Sequence, residues 1–203
     1  MDTNLVLASA SPRRKELLEQ IGISFTVHSA DIDETPKTSE QPSIYVSRMS
    51  KSKAHAVFFQ LKGTLANTKV LILASDTTVV LQGEIFGKPE SKADYFRMMK
   101  SLSGEVHQVI TSVHVLEVLS SDICSEKEIS VVTNVQFKAL SQQEIEWYWQ
   151  TGEPKDKAGG YGIQGRGAMF IERIEGSYSA VVGLPLKETA ELLFDLNFDT
   201  WLT

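Results

Sequence analysis

Two adjacent guanidinium groups, Arg13 and Arg14, follow Ser9-Ala10-Ser11-Pro12 near the start of the chain. Residues 5–8 read as a short buried strand. Ser11 suits a helix N-cap and Pro12 the first helical position. The first N–H groups of a helix lack partners and the helix dipole is positive there, so acidic side chains normally favour that turn. Two arginines in it break the local rule. An anion resolves the conflict by meeting the N–H groups, the hydroxyls of Ser9 and Ser11 and both guanidinium forks together, and a phosphate group fits best. The competing reading is two solvated arginines on an exposed turn.

Ser75-Asp76-Thr77-Thr78 interrupts the apolar run 70–81. An aspartate between strand segments is costly to bury unless a metal or a cation pairs with it. A turn aspartate capping backbone amides is the alternative. Asp31, Asp33 and Glu34 form an acidic group; hard cations such as Mg²⁺ accept one or two such carboxylates together with substrate phosphates. Acidic loops are more often simply solvated. At helical spacing Lys53 shares a face with Val46, Met49, Val57 and Leu61, so its ammonium must reach for an anion or snorkel to solvent. Lys88, in Gly87-Lys88-Pro89, is a further cationic candidate beside the reading of a surface lysine. Five of the 13 glycines fall in residues 159–167, around Gln164. Such a loop lets backbone approach a ligand closely, or it is a flexible surface loop.

Several chemistries are excluded. Gly160-Tyr161-Gly162-Ile163-Gln164-Gly165 matches G-x-G-x-x-G, but no strand leads into it and a strand follows, so a dinucleotide fingerprint is rejected. There is no G-x-x-x-x-G-K-[ST], no G-x-S-x-G and no kinase signature. His28, His55, His107 and His114 show no metal-ligand spacing and read as structural or surface residues. What remains is an inventory of cations, carboxylates and a glycine-rich loop, suited to metal-assisted attack on a phosphate chain.

The elements that must position these groups read as α/β. A strand–helix–strand opening ends at 25–29, and a long helix covers 43–61. Strand segments at 71–74 and 77–81 flank Asp76, and Gln82-Gly83-Glu84 forms a hairpin turn. Ser91, with Asp94 as capping-box partner, opens a helix ending before Gly104. Long strands cover 106–119 and 129–139. Ser141 and Glu144 form another capping box, for a helix through Trp149. Strands at 169–174 and 179–182 precede a final helix from Pro185. The pattern predicts a long mixed sheet with two lobes and a central cleft.

With 203 residues, the chain suits one large domain or two small lobes. Its net charge of −6 opposes general binding to a nucleic-acid polymer. Its single cysteine, Cys124, allows no internal disulfide or zinc cluster and reads as a partly buried thiol, which fits a reducing compartment. No apolar run is long enough for a membrane span, and Met1-Asp2-Thr3-Asn4 lacks the basic start of a signal peptide. A cytoplasmic location is expected.

Ser9-Ala10-Ser11-Pro12-Arg13-Arg14, Asp33-Glu34, Ser75-Asp76-Thr77, Gly87-Lys88-Pro89, the 157–165 loop and Val182-Gly183-Leu184-Pro185 together resemble, in this order, the Maf nucleotide pyrophosphatases. The resemblance covers about residues 4–196. It implies one Maf-type α/β domain over 1–203, of the Maf/inosine-triphosphatase-like kind and often homodimeric. It also implies hydrolysis of a nucleoside triphosphate to monophosphate and pyrophosphate with a divalent metal, Mg²⁺ or Mn²⁺. Arg13, Thr77 and Gln164 match the branch acting on dTTP, UTP and modified uridine nucleotides. Asp76 matches that family's general base. The combined reading gives Ser9, Ser11, Arg13 and Arg14 to the phosphates, with Lys53 and Lys88 assisting. Glu34 and Asp76 bind metal or position water, and Asp76 is base, ligand or both. A non-catalytic nucleotide-binding regulator of septum formation is the alternative.

Overall fold

The computed structural model of the chain describes residues 3–29, 31–65 and 69–198. Met1 and Asp2, from the stretch read for a leader, lie outside them. Among the described residues, seven strands form one mixed sheet. They are β1 (Thr3–Ala8), β2 (Thr26–His28), β3 (Lys69–Leu81), β4 (Glu84–Phe86), β5 (Val106–Leu119), β6 (Asp122–Phe137) and β7 (Ile171–Glu175). The order is β2-β1-β3-β5-β6-β7, with β4 also paired to β3. β1 runs parallel to β2 and β3, whereas β4 and β7 run antiparallel to β3 and β6. Helices α1 (Pro12–Gln20), α2 (Pro42–Leu61), α3 (Lys92–Leu102), α4 (Gln142–Gln150), α5 (Tyr178–Val182) and α6 (Leu186–Asp195) connect and flank the strands. The chain is therefore α/β with a mixed sheet. Among the described residues, no helix is long and apolar enough to cross a membrane.

Several expectations change. The two segments flanking Asp76 are one strand, β3, so Asp76 is a strand residue rather than a turn residue. Residues 179–182 belong to α5, not to a strand; Ser177 Oγ accepts the Ala180 amide at 3.2 Å and starts the helical turn. A short apolar run does not distinguish these outcomes. Met169 and Phe170 lie in a 3₁₀ turn, Arg166–Phe170, before β7. Asp94 accepts the Glu90 amide instead of closing the box on Ser91, whereas the Ser141–Glu144 box is complete. Cys124, on β6, is exposed rather than partly buried.

The chain divides into two compact units. The first comprises the described residues up to Asp76, Thr111–Ser130 and those from Gly183 onward. Strand alternation puts Val6 and Ala8 of β1 and Val70, Ile72 and Ala74 of β3 on one face. There they pack with Ala54, Val57 and Phe58 of α2. This face also dictates where Asp76 goes, two residues beyond Ala74.

The second unit holds Thr77–Ile110 and Val131–Val182. Its core gathers Val79, Phe86, Tyr95, Met99, Phe137, Tyr148, Tyr161 and Phe170. Phe137 meets Tyr161 edge-on at 4.7 Å and His107 at 4.9 Å. His107 Nε2 lies 2.7 Å from Tyr161 Oη, and burial lowers its pKa to about 4, so this ring is a neutral core group, as expected.

The glycine-rich loop is built for internal packing. Gly159 has φ +67°, and a Cβ there would stand 2.9 Å from Val79 Cγ2. A Cβ at Gly165 would collide with the Glu153 carboxylate. Glu153 accepts the Tyr148 hydroxyl at 2.7 Å and the Arg166 amide at 3.0 Å. Burial alone would raise its pKa, but these bonds, the Gly167 amide and the Lys157 charge outweigh that and lower it. Gly159→Ala is expected to destabilise the protein by about 1–3 kcal/mol, through backbone strain and overpacking together. Urea unfolding checks this; an unchanged midpoint would mean that the loop is not packed this way.

Candidate active site

The first unit brings three charged groups from distant parts of the chain to one point. Alternation along β3 turns Asp76 toward α2, where the i, i+3/i+4 spacing of Val46, Met49, Lys53 and Val57 places Lys53 in the helix's buried stripe. Lys53 Nζ lies 2.6 Å from Asp76 Oδ1 and 2.6 Å from Glu34 Oε1. The Asp76 side chain is 11% exposed, that of Lys53 15% and that of Glu34 43%. The stem of Lys53 thus crosses apolar surface to reach two carboxylates.

Glu34 comes from an irregular segment that α2 pins in place. Tyr45 Oη donates to the Glu34 carbonyl at 2.9 Å. Arg48 makes a two-pronged ion pair with Glu40, both bonds 2.6 Å, and reaches the Thr35 carbonyl at 3.2 Å. Asp33 Oδ1 accepts the Thr35 amide at 2.9 Å in an Asx turn, and the Thr35 hydroxyl, followed by this amide, lowers its pKa. Of the acidic trio, Glu34 therefore joins Lys53, Asp33 shapes the turn and Asp31 is exposed. Burial, followed by the negative charges of Asp76 and Glu34, pushes the Tyr45 hydroxyl up to about 12, so it remains a donor.

The opposite face of β3 carries Ser75, whose Oγ donates to the Gly183 carbonyl at 2.9 Å. The same carbonyl accepts Arg14 Nε at 2.8 Å. Arg14 Nη1 reaches Ser9 Oγ at 3.4 Å, and Ser9 Oγ also accepts the Ser11 amide at 3.1 Å. Ser11 is the N-cap of α1 by backbone geometry, but its hydroxyl makes no capping bond. Arg13 is half-buried in the first turn. Burial lowers the Arg14 pKa; Asp76 opposes this, Arg13 adds to it and Glu34 opposes it. A partly desolvated guanidinium beside a second one is primed to gain from an arriving anion.

Three candidates belong to the second unit. Thr77 follows Asp76 in β3 and is half-buried, Lys88 is exposed between β4 and α3, and Gln164 is exposed in the glycine-rich loop. Sequence reasoning missed Tyr45, Arg48 and Glu40, whose spacing is ordinary for a helix and its lead-in. It quoted Gly183 but gave it no job. Gly183 has a φ of +134°, which favours glycine, and its carbonyl accepts from both Arg14 and Ser75, a pairing only the fold shows.

Glu34 and Asp76 offer hard oxygen ligands, and the ammonium held by both shows that a cation fits that electrostatic environment. Lys53→Met is expected to cost about 1–3 kcal/mol at pH 7 in urea unfolding, less than for a sealed pair because water reaches Glu34. Millimolar Mg²⁺ should recover more stability in that variant than in the parent. No loss would mean that solvent already neutralises the carboxylates.

A second expectation concerns the anchored segment. Arg48 lowers the Glu40 pKa from 4.5 to about 2. A depressed carboxylate stabilises the fold above its ordinary pKa and loses that contribution as pH falls toward the folded value. The Lys37 amide, which donates to Glu40 Oε2 at 2.9 Å, should show an NMR shift titrating with a midpoint near 2. A midpoint at the ordinary 4.5 would contradict the clamp.

A family model described as Maf-like protein matches residues 4–196. A dTTP/UTP pyrophosphatase from Hydrogenovibrio crunogenus is 48% identical over 200 residues, covering 98% of each chain. One from Pseudoalteromonas atlantica is 53% identical over 189 residues, covering 93% of this chain and 95% of that one. A HAM1 protein structure from Coxiella burnetii matches at TM-score 0.48 and 13% identity, covering 96% of this chain and 100% of that one. With a match across nearly its whole length and relatives near half identity, the chain belongs to the Maf-like protein family.

Proposed function

We propose that this protein is a nucleoside triphosphate pyrophosphatase acting on dTTP and UTP, including modified uridine triphosphates. It would release the monophosphate and pyrophosphate and so clear nucleotide pools. The observation that carries the reading is the meeting of Lys53 with Asp76 and Glu34, 2.6 Å each. The relatives at about half identity bear the same activity in their names.

In this reading Glu34 and Asp76 would hold a divalent cation, Mg²⁺ or Mn²⁺. Bound there, the ion would supply positive charge against the phosphates and would lower the pKa of a nearby water. Asp76 accepts a proton from the attacking water as general base. The phosphorus–oxygen bond linking the α and β phosphates breaks, and the new P–O bond takes its oxygen from water. Lys53 holds both carboxylates before the substrate arrives and offers positive charge to the phosphates afterwards. Arg14, oriented by the Gly183 carbonyl and Ser9, and Arg13 grip the phosphate tail, with Ser11 contributing its hydroxyl. Lys88 adds a further cation. Thr77 and Gln164, with Arg13, select the base; a carboxamide supplies both the donor and the acceptor that a uracil or thymine edge complements. The net charge of −6 supports a small nucleotide rather than a nucleic-acid polymer.

Incubation with dTTP or UTP and Mg²⁺ should yield monophosphate and pyrophosphate in equal amounts, without orthophosphate. Gln164→Ala should narrow the preference for dTTP over dGTP. Orthophosphate as the first product, or equal rates on simple phosphomonoesters, would overturn the assignment.

A further inference from the structure

We propose that His55, His114 and Glu126 form a binding site for a divalent transition-metal ion of the zinc class, separate from the Glu34–Asp76 pair. The three residues come from α2, β5 and β6, all within the first unit. One ligand atom from each lies within 4.8 Å of the others.

The case rests first on His114. Its side chain is only 3% exposed, and neither ring nitrogen has a hydrogen-bond partner. His55 Nε2 is also buried without one. Leaving buried ring nitrogens unsatisfied is costly, and native interiors rarely tolerate it without a ligand or a function. Both rings nevertheless face one carboxylate. His55 Nε2 lies 3.1 Å from Glu126 Oε1, and His114 Nε2 lies 3.3 Å from Glu126 Oε2. These are ion-pair contacts without hydrogen-bond geometry, and they point two ring nitrogens and one carboxylate at a common centre.

Charge and outer contacts support the same reading. The other nitrogen of His114, Nδ1, faces Glu128 Oε2 at 3.9 Å. Glu128 is held by Ser112 Oγ at 3.1 Å, which in turn accepts Ser50 Oγ at 3.0 Å. At 3.9 Å this is no hydrogen bond, but it places a carboxylate behind the ring, where metal-bound imidazoles commonly have one. Lys51 donates to Glu126 Oε2 at 2.7 Å and leaves Oε1 toward His55. Its side chain is half-exposed and has room to swing into solvent as a cation enters.

Two imidazoles and one carboxylate select zinc, cobalt, nickel or copper over magnesium and calcium. Bonds of about 2.0–2.2 Å set tetrahedral ligand atoms about 3.3 Å apart, close to the 3.1 and 3.3 Å that already separate the ring nitrogens from Glu126. Water completes the coordination.

The test is titration of the full-length protein with Co²⁺, followed by visible absorption. A d–d band should saturate at one ion per chain and persist in Asp76→Asn. His55→Gln and Glu126→Gln should each weaken binding at least about tenfold, with circular dichroism unchanged, and His114→Gln should abolish the band. If His114→Gln fails to fold, the two half-exposed variants still decide. No band, a band indifferent to both, or one lost with Asp76→Asn would overturn the site.

Discussion

A carboxylate in the middle of a buried strand needs a cation. Asp76 stands in β3 among Leu71, Ile72, Leu73 and Ala74 on one side and Val79 and Val80 on the other, all nearly inaccessible to water. A charge buried there without a partner would cost stability. Lys53 answers that demand, but only because α2 packs its apolar stripe on the same face of β1 and β3. The hydrophobic contact and the ion pair fix each other's register.

The neighbouring parts extend this logic outward. Glu34 sits on a segment without regular structure, so its position depends on ties to α2, which Tyr45 and the Arg48–Glu40 fork supply. Arg14 sits at a helix start already positive, so it must be aimed; the Gly183 carbonyl does this from a segment 169 residues away. Both devices spend backbone carbonyls to orient charges. A reactive centre needs such preorganisation, whereas a solvated charge cluster does not.

Much of this was legible in the sequence. The strand character on both sides of Asp76 follows from the apolar run 70–81 and the stripe of α2 from helical periodicity, and that stripe put Lys53 where it stands. The serine caps at Ser91 and Ser141 followed from side-chain chemistry. What failed were questions that local pattern cannot decide. The run 179–182 became a helix because Ser177 caps it. Ser75-Asp76 looked like a break, yet the strand tolerates the charge because Lys53, 23 residues away, neutralises it. His55, His114 and Glu126 are brought together only by the packing of α2 on the sheet. The glycines of 159–167 are explained in part by the shapes of Val79 and Glu153, which composition cannot show.

Under the proposed function, Asp76 is kept in this strand for its proton chemistry rather than for stability. Asp76→Asn preserves size and shape while removing the charge and the basicity. Measured together on that variant, the urea midpoint and the turnover of dTTP separate the two roles. Turnover should fall by at least about 100-fold with a midpoint little changed or raised. Turnover within a few-fold of the parent would contradict it.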